Sequence, residues 1–229
     1  MSSPLAPASP IARPPSGRPP CRSTFEGRLA WVEPLDPRRH GEDLFAAAVD
    51  PGIWDWLPYG PFADEAAMRL WLEGRAVSAD PLFFAIRDRA DGVAKGMCSW
   101  LRLDPPNGVI EIGHIWLGDA LQRTPAATEA LFLLFRHVMD ELGYRRLEWK
   151  CDARNARSRR AAARLGFTFE GIFRQHLIVK GRNRDTAWFS LLDDEWPTIR
   201  AGFERWLAPS NFTGDGRQIE TLAACRVAA

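Results

Sequence analysis

The chain has 229 residues, 46% of them hydrophobic, ten tryptophans and a formal net charge of +1, which suits one packed core with loose ends. Near-neutrality removes any global attraction to nucleic acid or an anionic membrane, and no window supplies the roughly 20 apolar residues that span a bilayer. Cys21, Cys98, Cys151 and Cys225 are scattered, without a CxxC or a histidine ladder, and the start lacks an apolar signal region, so reduced thiols, no metal and a cytoplasmic location are expected.

Residues 1–24 hold seven prolines among Ser, Ala and Arg. They cannot bury enough surface to order themselves and read as a disordered leader, or alternatively as a peptide motif for a partner. One domain, 25–208, follows. Residues 29–35 read as a strand, and 36–49 as a helix entered through Asp36 and Pro37, a cap with proline at the first helical position. The aromatic stretch Trp54-Asp55-Trp56-Leu57-Pro58-Tyr59 precedes an amphipathic helix at 64–76. Residues 82–87 and 93–103 form a plausible hairpin, and 109–117 is apolar on both alternating faces, as in a strand buried on both sides. A long helix at 125–142 closes at Gly143. Residues 146–151 alternate, with Leu147, Trp149 and Cys151 on one face, and a helix at 155–165 ends at Gly166. Strands at 167–180 and 186–192 flank a Lys-Gly-Arg-Asn turn. Residues 209–229 lose clear periodicity and read as a loose tail, or as a short docked helix from 219 to 227. Strands mixed with helices imply an α/β layered fold with a mixed sheet.

Several residues in this frame carry chemistry. Thr124 can cap the helix that begins at Pro125, and the amides of Arg123, Thr124, Ala126 and Ala127, with the Arg123 charge, make an anion site matched to a pyrophosphate. The same features also describe an ordinary capped helix. Ser158, Ala161, Ala162 and Leu165 share one helical stripe, while Arg157, Arg160 and Arg164 point away. The inward hydroxyl offers a hydrogen-bond partner to a slim chain passing between alanines. Asn155 caps that helix or bonds a passing amide; alternatively, cap and small core residue exhaust the two roles. Five arginines between Arg154 and Arg164 form a solvated face or meet a ligand phosphate. Glu111 lies in an otherwise apolar strand, so it is paired, pKa-shifted into a general base, or at a wet strand end. His114 falls on the opposite face by strict alternation, as a satisfied core histidine or an acid/base group. Trp54, Asp55, Trp56 and Tyr59 wall an acceptor pocket, with Asp55 or Asp64 attracting an amine, or they simply pack over the sheet edge. No dinucleotide fingerprint, Walker loop, HExxH or nucleophile elbow occurs.

Taken together, Glu111-Ile112-Gly113-His114 with Trp116-Leu117, Thr128-Glu129-Ala130, Asn155 with Ser158, and Leu165-Gly166-Phe167 followed by Glu170-Gly171 resemble the GNAT superfamily of acetyl-CoA-dependent N-acetyltransferases. The nearest branch is that of the Rim-type ribosomal-protein N-terminal acetyltransferases, and the likeness runs from Arg28 to Asp194. It implies a mixed, mostly antiparallel sheet with helices on both faces and a splayed central strand pair. It also implies a loop gripping the CoA pyrophosphate, here with Gln122 and Ala127 at its ends and Pro125 in place of the middle glycine, and a pantetheine arm against the backbone near Leu117. His114 stands where tyrosine is frequent in this branch. The implied reaction is direct acetyl transfer to a primary amine, of a peptide N-terminus or a small molecule. Glu111 or His114 would remove a proton, an amide near Leu117 would stabilise the oxyanion, and Ser158 would protonate the departing sulfur. An acyl-CoA-binding sensor with little turnover is the alternative.

Overall fold

The chain forms eight strands: β1 (Phe25–Glu26), β2 (Ala30–Pro34), β3 (Leu82–Asp88), β4 (Ala94–Asp104), β5 (Val109–Leu117), β6 (Arg146–Asp152), β7 (Thr168–Val179) and β8 (Arg182–Leu192). In the computed structural model, which describes residues 17–227, they make one sheet in the order β1-β2-β3-β4-β5-β6-β8-β7. Every neighbouring pair is antiparallel except β5 and β6, which run parallel. Six α-helices accompany the sheet among the described residues: α1 (Pro37–Ala47), α2 (Glu65–Ala76), α3 (Pro125–Arg136), α4 (Ala156–Leu165), α5 (Trp196–Leu207) and α6 (Leu222–Val227).

The sheet has a core on each face. Leu44 of α1 and Met68 and Leu72 of α2 pack on Phe83, Ala85, Met97 and Trp116. On the other face α3 to α6 cover Phe84, Ile86, Ile110, Ile112, Leu147 and Phe189. The α/β architecture with helices on both faces is therefore the one expected from the sequence. Residues 126–135 of α3 are all buried, and a helix enclosed all round belongs between layers. The sheet lies on one side of it and α5 on the other, where Phe132 and Phe203 stack at 5.0 Å. Glu129 is nevertheless 6% exposed. Its carboxylate accepts the amides of Arg28, Leu29 and Ala30 at 3.1, 2.5 and 2.9 Å, which offsets the burial of the charge and pins the β1–β2 turn to α3.

β1 and α5 are elements that the sequence reading leaves out, and three other points depart from it. The long helix continues past α3 as a π-helical turn, His137–Glu141, before Gly143 at φ 67. β8 starts at Arg182 instead of residue 186, because the reversal needs only Lys180 and Gly181, with φ 49 and 72. That two-residue turn has the twist that suits a hairpin. The segment after Pro209 is docked, not loose, and the alternative reading of a short docked helix is met by α6 at Leu222–Val227. Buried Asn211 donates to the carbonyls of Trp206 and Glu220 at 3.0 and 3.2 Å and accepts the Glu220 amide at 2.8 Å, and Leu222 and Cys225 enter the main core. Most of the leader expected at 1–24 lies outside the described residues; of the remainder, Pro20 is buried and Tyr144 Oη donates to the Arg18 carbonyl at 3.1 Å.

Candidate active site

The central strands part at a defined rung. β5 and β6 pair from Val109 with Arg146 to Ile112 with Trp149, although β5 continues to Leu117 and β6 to Asp152. A bulge in β5 coincides with the parting. Met97 of β4 faces Trp116 and Ser99 faces Gly113, so β5 carries one residue more than β4. His114, in the left-handed region at φ 51, sits at that extra position. Inside and outside then exchange: Ile110 and Ile112 join the cluster under α3, whereas Trp116 joins the cluster under α1 and α2. The His114 ring lies 5.1 Å from Phe83 and stacks 5.5 Å from Tyr59 on the α1/α2 face. The bulge thus brings His114 to the same face as Glu111, correcting the opposite placement that alternation gives.

Backbone donors face the gap. The Gly118 amide donates to the Lys95 carbonyl at 2.8 Å, so the adjoining Leu117–Gly96 rung is a non-bonded one and the Leu117 amide and carbonyl point away from β4. Gln122 Nε2 takes that carbonyl at 2.9 Å, leaving the Leu117 N–H toward the gap. At the start of α3, Thr124 Oγ1 accepts the Ala127 amide at 3.1 Å, and the Thr124 amide reaches the Leu121 carbonyl at 3.4 Å. Two of the four amides expected to be free are therefore engaged. Those of Arg123 and Ala126 have no protein acceptor among the described residues, and Arg123 is exposed with φ 61.

The start of α4 supplies a hydroxyl. Asn155 Oδ1 accepts the Ser158 amide at 3.0 Å, and Ser158 Oγ accepts Trp149 Nε1 at 2.9 Å. Its own O–H is then left to donate. Burial pushes the neighbouring Cys151 thiol up. Trp149 is also the last β6 residue paired to β5, so Ser158 stands where the gap opens.

The α1/α2 face carries a charge network that is buried at Glu111, Lys150 and Glu148 and reaches the surface at Glu170. Glu111, 4% exposed, holds Lys150 Nζ at 3.0 Å and the Arg102 guanidinium, both on Oε2. The paired reading of Glu111 is thus the one found, not the wet strand end. Lys150 reaches Glu148 at 2.6 Å, Arg146 reaches Glu148 at 2.7 Å, and Arg146 grips both Glu170 oxygens at 2.7 and 2.6 Å. Alternating signs make burial of these ions tolerable. His114 Nδ1 lies 3.3 Å from Tyr59 Oη. Burial, then the charges of Arg102, Arg75 and Arg184, lower its pKa to about 4, so the imidazole is neutral at pH 7.

The aromatic loop divides. Trp54 is a core residue, 3% exposed, with Phe62 and Trp116 rings at 5.4 and 5.6 Å. Tyr59 lies between His114 and Trp71, whose ring is 4.2 Å away, and so it faces the site. Trp56 is half-buried under the Arg154 guanidinium at 5.7 Å, and Asp55 is exposed. Asp64 serves as the α2 cap, accepting the Ala67 amide at 2.8 Å. Lys180 Nζ donates to the Trp54 carbonyl at 2.8 Å, tying the β7–β8 turn to this loop. Three of the five arginines of the basic run are engaged: Arg154 with Asp152 at 2.8 Å, Arg159 with the Ala153 carbonyl at 3.2 Å, and Arg164 with Thr128 Oγ1 at 3.1 Å. Arg164 therefore folds back instead of pointing away, while Arg157 and Arg160 stay exposed.

Sequence reasoning missed Lys150, Arg102, Arg184 and the bond from Trp149. One signal was available: Glu148, Lys150 and Asp152 alternate with Leu147, Trp149 and Cys151, so a strand with one apolar face carries three charges on the other. Among the described residues no cluster of three or more His, Cys, Asp or Glu side chains is arranged to hold a metal ion, and no helix is long and apolar enough to cross a membrane.

Known proteins share this fold and sequence. Residues 31–168 match the family described as "Acetyltransferase (GNAT) domain". A GCN5-related N-acetyltransferase from Brucella melitensis superposes with a TM-score of 0.90 at 50% identity, over 94% of this chain and 99% of that one. A Bacillus subtilis (strain 168) protein named "Putative ribosomal N-acetyltransferase YdaF" is 34% identical over 177 residues, 77% of this chain and 96% of its own length. The ribosomal-protein-serine acetyltransferase of Escherichia coli (strain K12) is 35% identical over 99 residues, 43% of this chain and 55% of its own length.

Proposed function

The chain belongs to the GNAT acetyltransferase family, and from that premise we propose that it transfers the acetyl group of acetyl-CoA to the α-amine of a peptide N-terminus, in the cytoplasm, by direct attack within a ternary complex. The observation that carries this reading is the parting of β5 and β6 after Ile112 and Trp149, with the Leu117 amide turned toward the gap and the starts of α3 and α4 beside it. Acetyl-CoA supplies the activated acetyl thioester. The chain's own groups fit it: the free amides of Arg123 and Ala126 with the Arg123 charge suit a diphosphate, although Pro125 offers no amide. Gln122 fixes the loop by holding the Leu117 carbonyl at 2.9 Å. Asn155 sets the first turn of α4, so that Ser158 donates its O–H to the departing sulfur. The Leu117 N–H donates to the oxyanion that develops on the thioester carbonyl.

The acid/base groups bear on the acceptor. Two cations converge on Oε2 of Glu111, and His114, with its pKa at about 4, is a weak base beside Tyr59. Glu111 acts through water and anchors Lys150; His114 and Tyr59 wall the amine and relay its proton. A site whose histidine is a weak base favours an amine that is already partly neutral. An α-amine titrates about 2.5 units below a lysine, which is about 3.4 kcal/mol or about 300-fold in neutral fraction. The names of the relatives from Bacillus subtilis and Escherichia coli point the same way.

Thiol release from acetyl-CoA, measured with a Ser-initiated peptide, its N-terminally blocked form carrying an internal lysine, and a polyamine, tests the proposal. Turnover confined to the free N-terminus is expected. Faster turnover with lysine or polyamine would remove the α-amine reading. Calorimetric uptake of acetyl-CoA without thiol release from any acceptor would establish the sensor instead.

A further inference from the structure

Two arginines whose charges are felt at His114 have no acid partner among the described residues. On β8, Ala187, Phe189 and Leu191 enter the core, so Arg184, Thr186 and Trp188 project from the opposite face, toward the Glu111 network. Arg184 is half-buried, its Nε is enclosed without an acceptor, and it makes no ion pair among the described residues. The nearby acids are engaged elsewhere. Glu111 binds Lys150 and Arg102, Asp152 binds Arg154 at 2.8 Å, and Asp185 accepts the Gln175 amide at 2.7 Å and Asn183 Nδ2 at 2.9 Å. From the other side, Arg75 ends α2 with its guanidinium 5.4 Å over Trp71 and its Nε likewise enclosed without an acceptor. Trp71 leads by ring contact to Tyr59 and then to His114. Arg184 on β8 and Arg75 on α2 thus belong to different elements, and the charges of both are felt at the His114 ring.

A guanidinium cannot shed its proton to escape burial, so a half-buried one without an acid is costly to hold in place. Sites that recognise a carboxylate leave the fork of donors open in this way, because the partner arrives with the ligand. We propose that the acceptor peptide carries an acidic side chain within the first few residues after its reacting amine, and that Arg184, with Arg75, binds that carboxylate. This rests on the peptide reading given above. Arg184 and Arg75 are here specificity-determining residues, since they touch the acceptor away from the reacting atoms. The same excess of positive charge disfavours polyamines and aminoglycosides.

The test compares peptides Ser-Asp-Glu, Ser-Asn-Gln and Ser-Lys-Lys, each followed by one common neutral sequence, in the thiol-release assay with the full chain. The acidic peptide should exceed the amide peptide in kcat/KM by about tenfold or more, mainly through KM, and the lysine peptide should be poorest. In Arg184→Gln the acidic-to-amide ratio should collapse toward one, and Arg184→Lys should restore part of it. Acetyl-CoA binding by calorimetry reports that each variant is folded. Equal use of the three peptides, or a ratio that survives in both Arg184→Gln and Arg75→Gln, would overturn this inference while leaving the acetyltransferase reading intact. Thiol release with none of the three would overturn both.

Discussion

Replacing Lys150 with methionine should destabilise the protein far more than a surface lysine would. The Lys150 side chain is 4% exposed and lies 3.0 Å from Glu111 and 2.6 Å from Glu148, whose side chains are 5% and 11% exposed. Glu111 and Glu148 face each other across the parallel β5–β6 rung. Without the ammonium, two like charges are left side by side in a poorly hydrated place. Breaking a buried ion pair from one side costs about 3–5 kcal/mol. Arg102 still holds Glu111 and Arg146 still holds Glu148, so the lower end applies. A loss of about 3 kcal/mol lowers Tm by about 6–12 °C in a chain of this size. Urea titration at pH 7.5, with a thermal melt beside it, measures the loss. Adding Glu111→Gln and Glu148→Gln to Lys150→Met should recover much of it, because no unpaired ion then remains. A single variant less than about 1 kcal/mol below the parent protein, or a triple variant weaker than the single, would refute the reasoning. Because this rung is the last but one before the strands part, KM for acetyl-CoA should rise in the single variant.

Ser158→Ala should lower kcat by about tenfold to a hundredfold, the worth of a hydrogen bond to a charged group, with acetyl-CoA binding by calorimetry nearly unchanged; unaltered turnover removes the hydroxyl from the reaction. His114 has a folded pKa of about 4 against an ordinary 6.5. Because it is lowered, the stability it contributes is fully present above pH 6.5 and is lost as pH falls through 4. Urea midpoints of the parent should therefore drop more steeply across that window than those of His114→Gln, and parallel curves would contradict the assignment. Glu129→Ala orphans the three amides of the β1–β2 turn and should cost about 2–4 kcal/mol in urea titrations. A loss confined to a few tenths of a kcal/mol would show that water replaces the carboxylate without penalty.

The amino-acid sequence by itself determined the elements whose causes are local. Asp36, Thr124 and Asn155 announce helix starts because each side chain bonds an amide two or three residues on, and Gly143 and Gly166 announce ends because they adopt φ 67 and 103. Alternation and helical periodicity then marked the elements from β2 to β8 and left out β1 and α5, and the pattern from Glu111 to Gly171 pointed to the family. Tertiary structure alone decided what depends on distant partners. The bulge at His114 reverses which side chains face which layer, and no count along β5 reveals it without β4 alongside. Trp54 turned inward because Phe62 and Trp116 were there to meet it, and the tail docked because Asn211 found partners on α5 and before α6. Glu111 became a paired carboxylate through Arg102 and Lys150, nine and thirty-nine positions away in the chain. Hydrogen bonds within a turn are written in neighbouring residues, whereas an ion pair or a change of strand register exists only once the chain has folded back on itself.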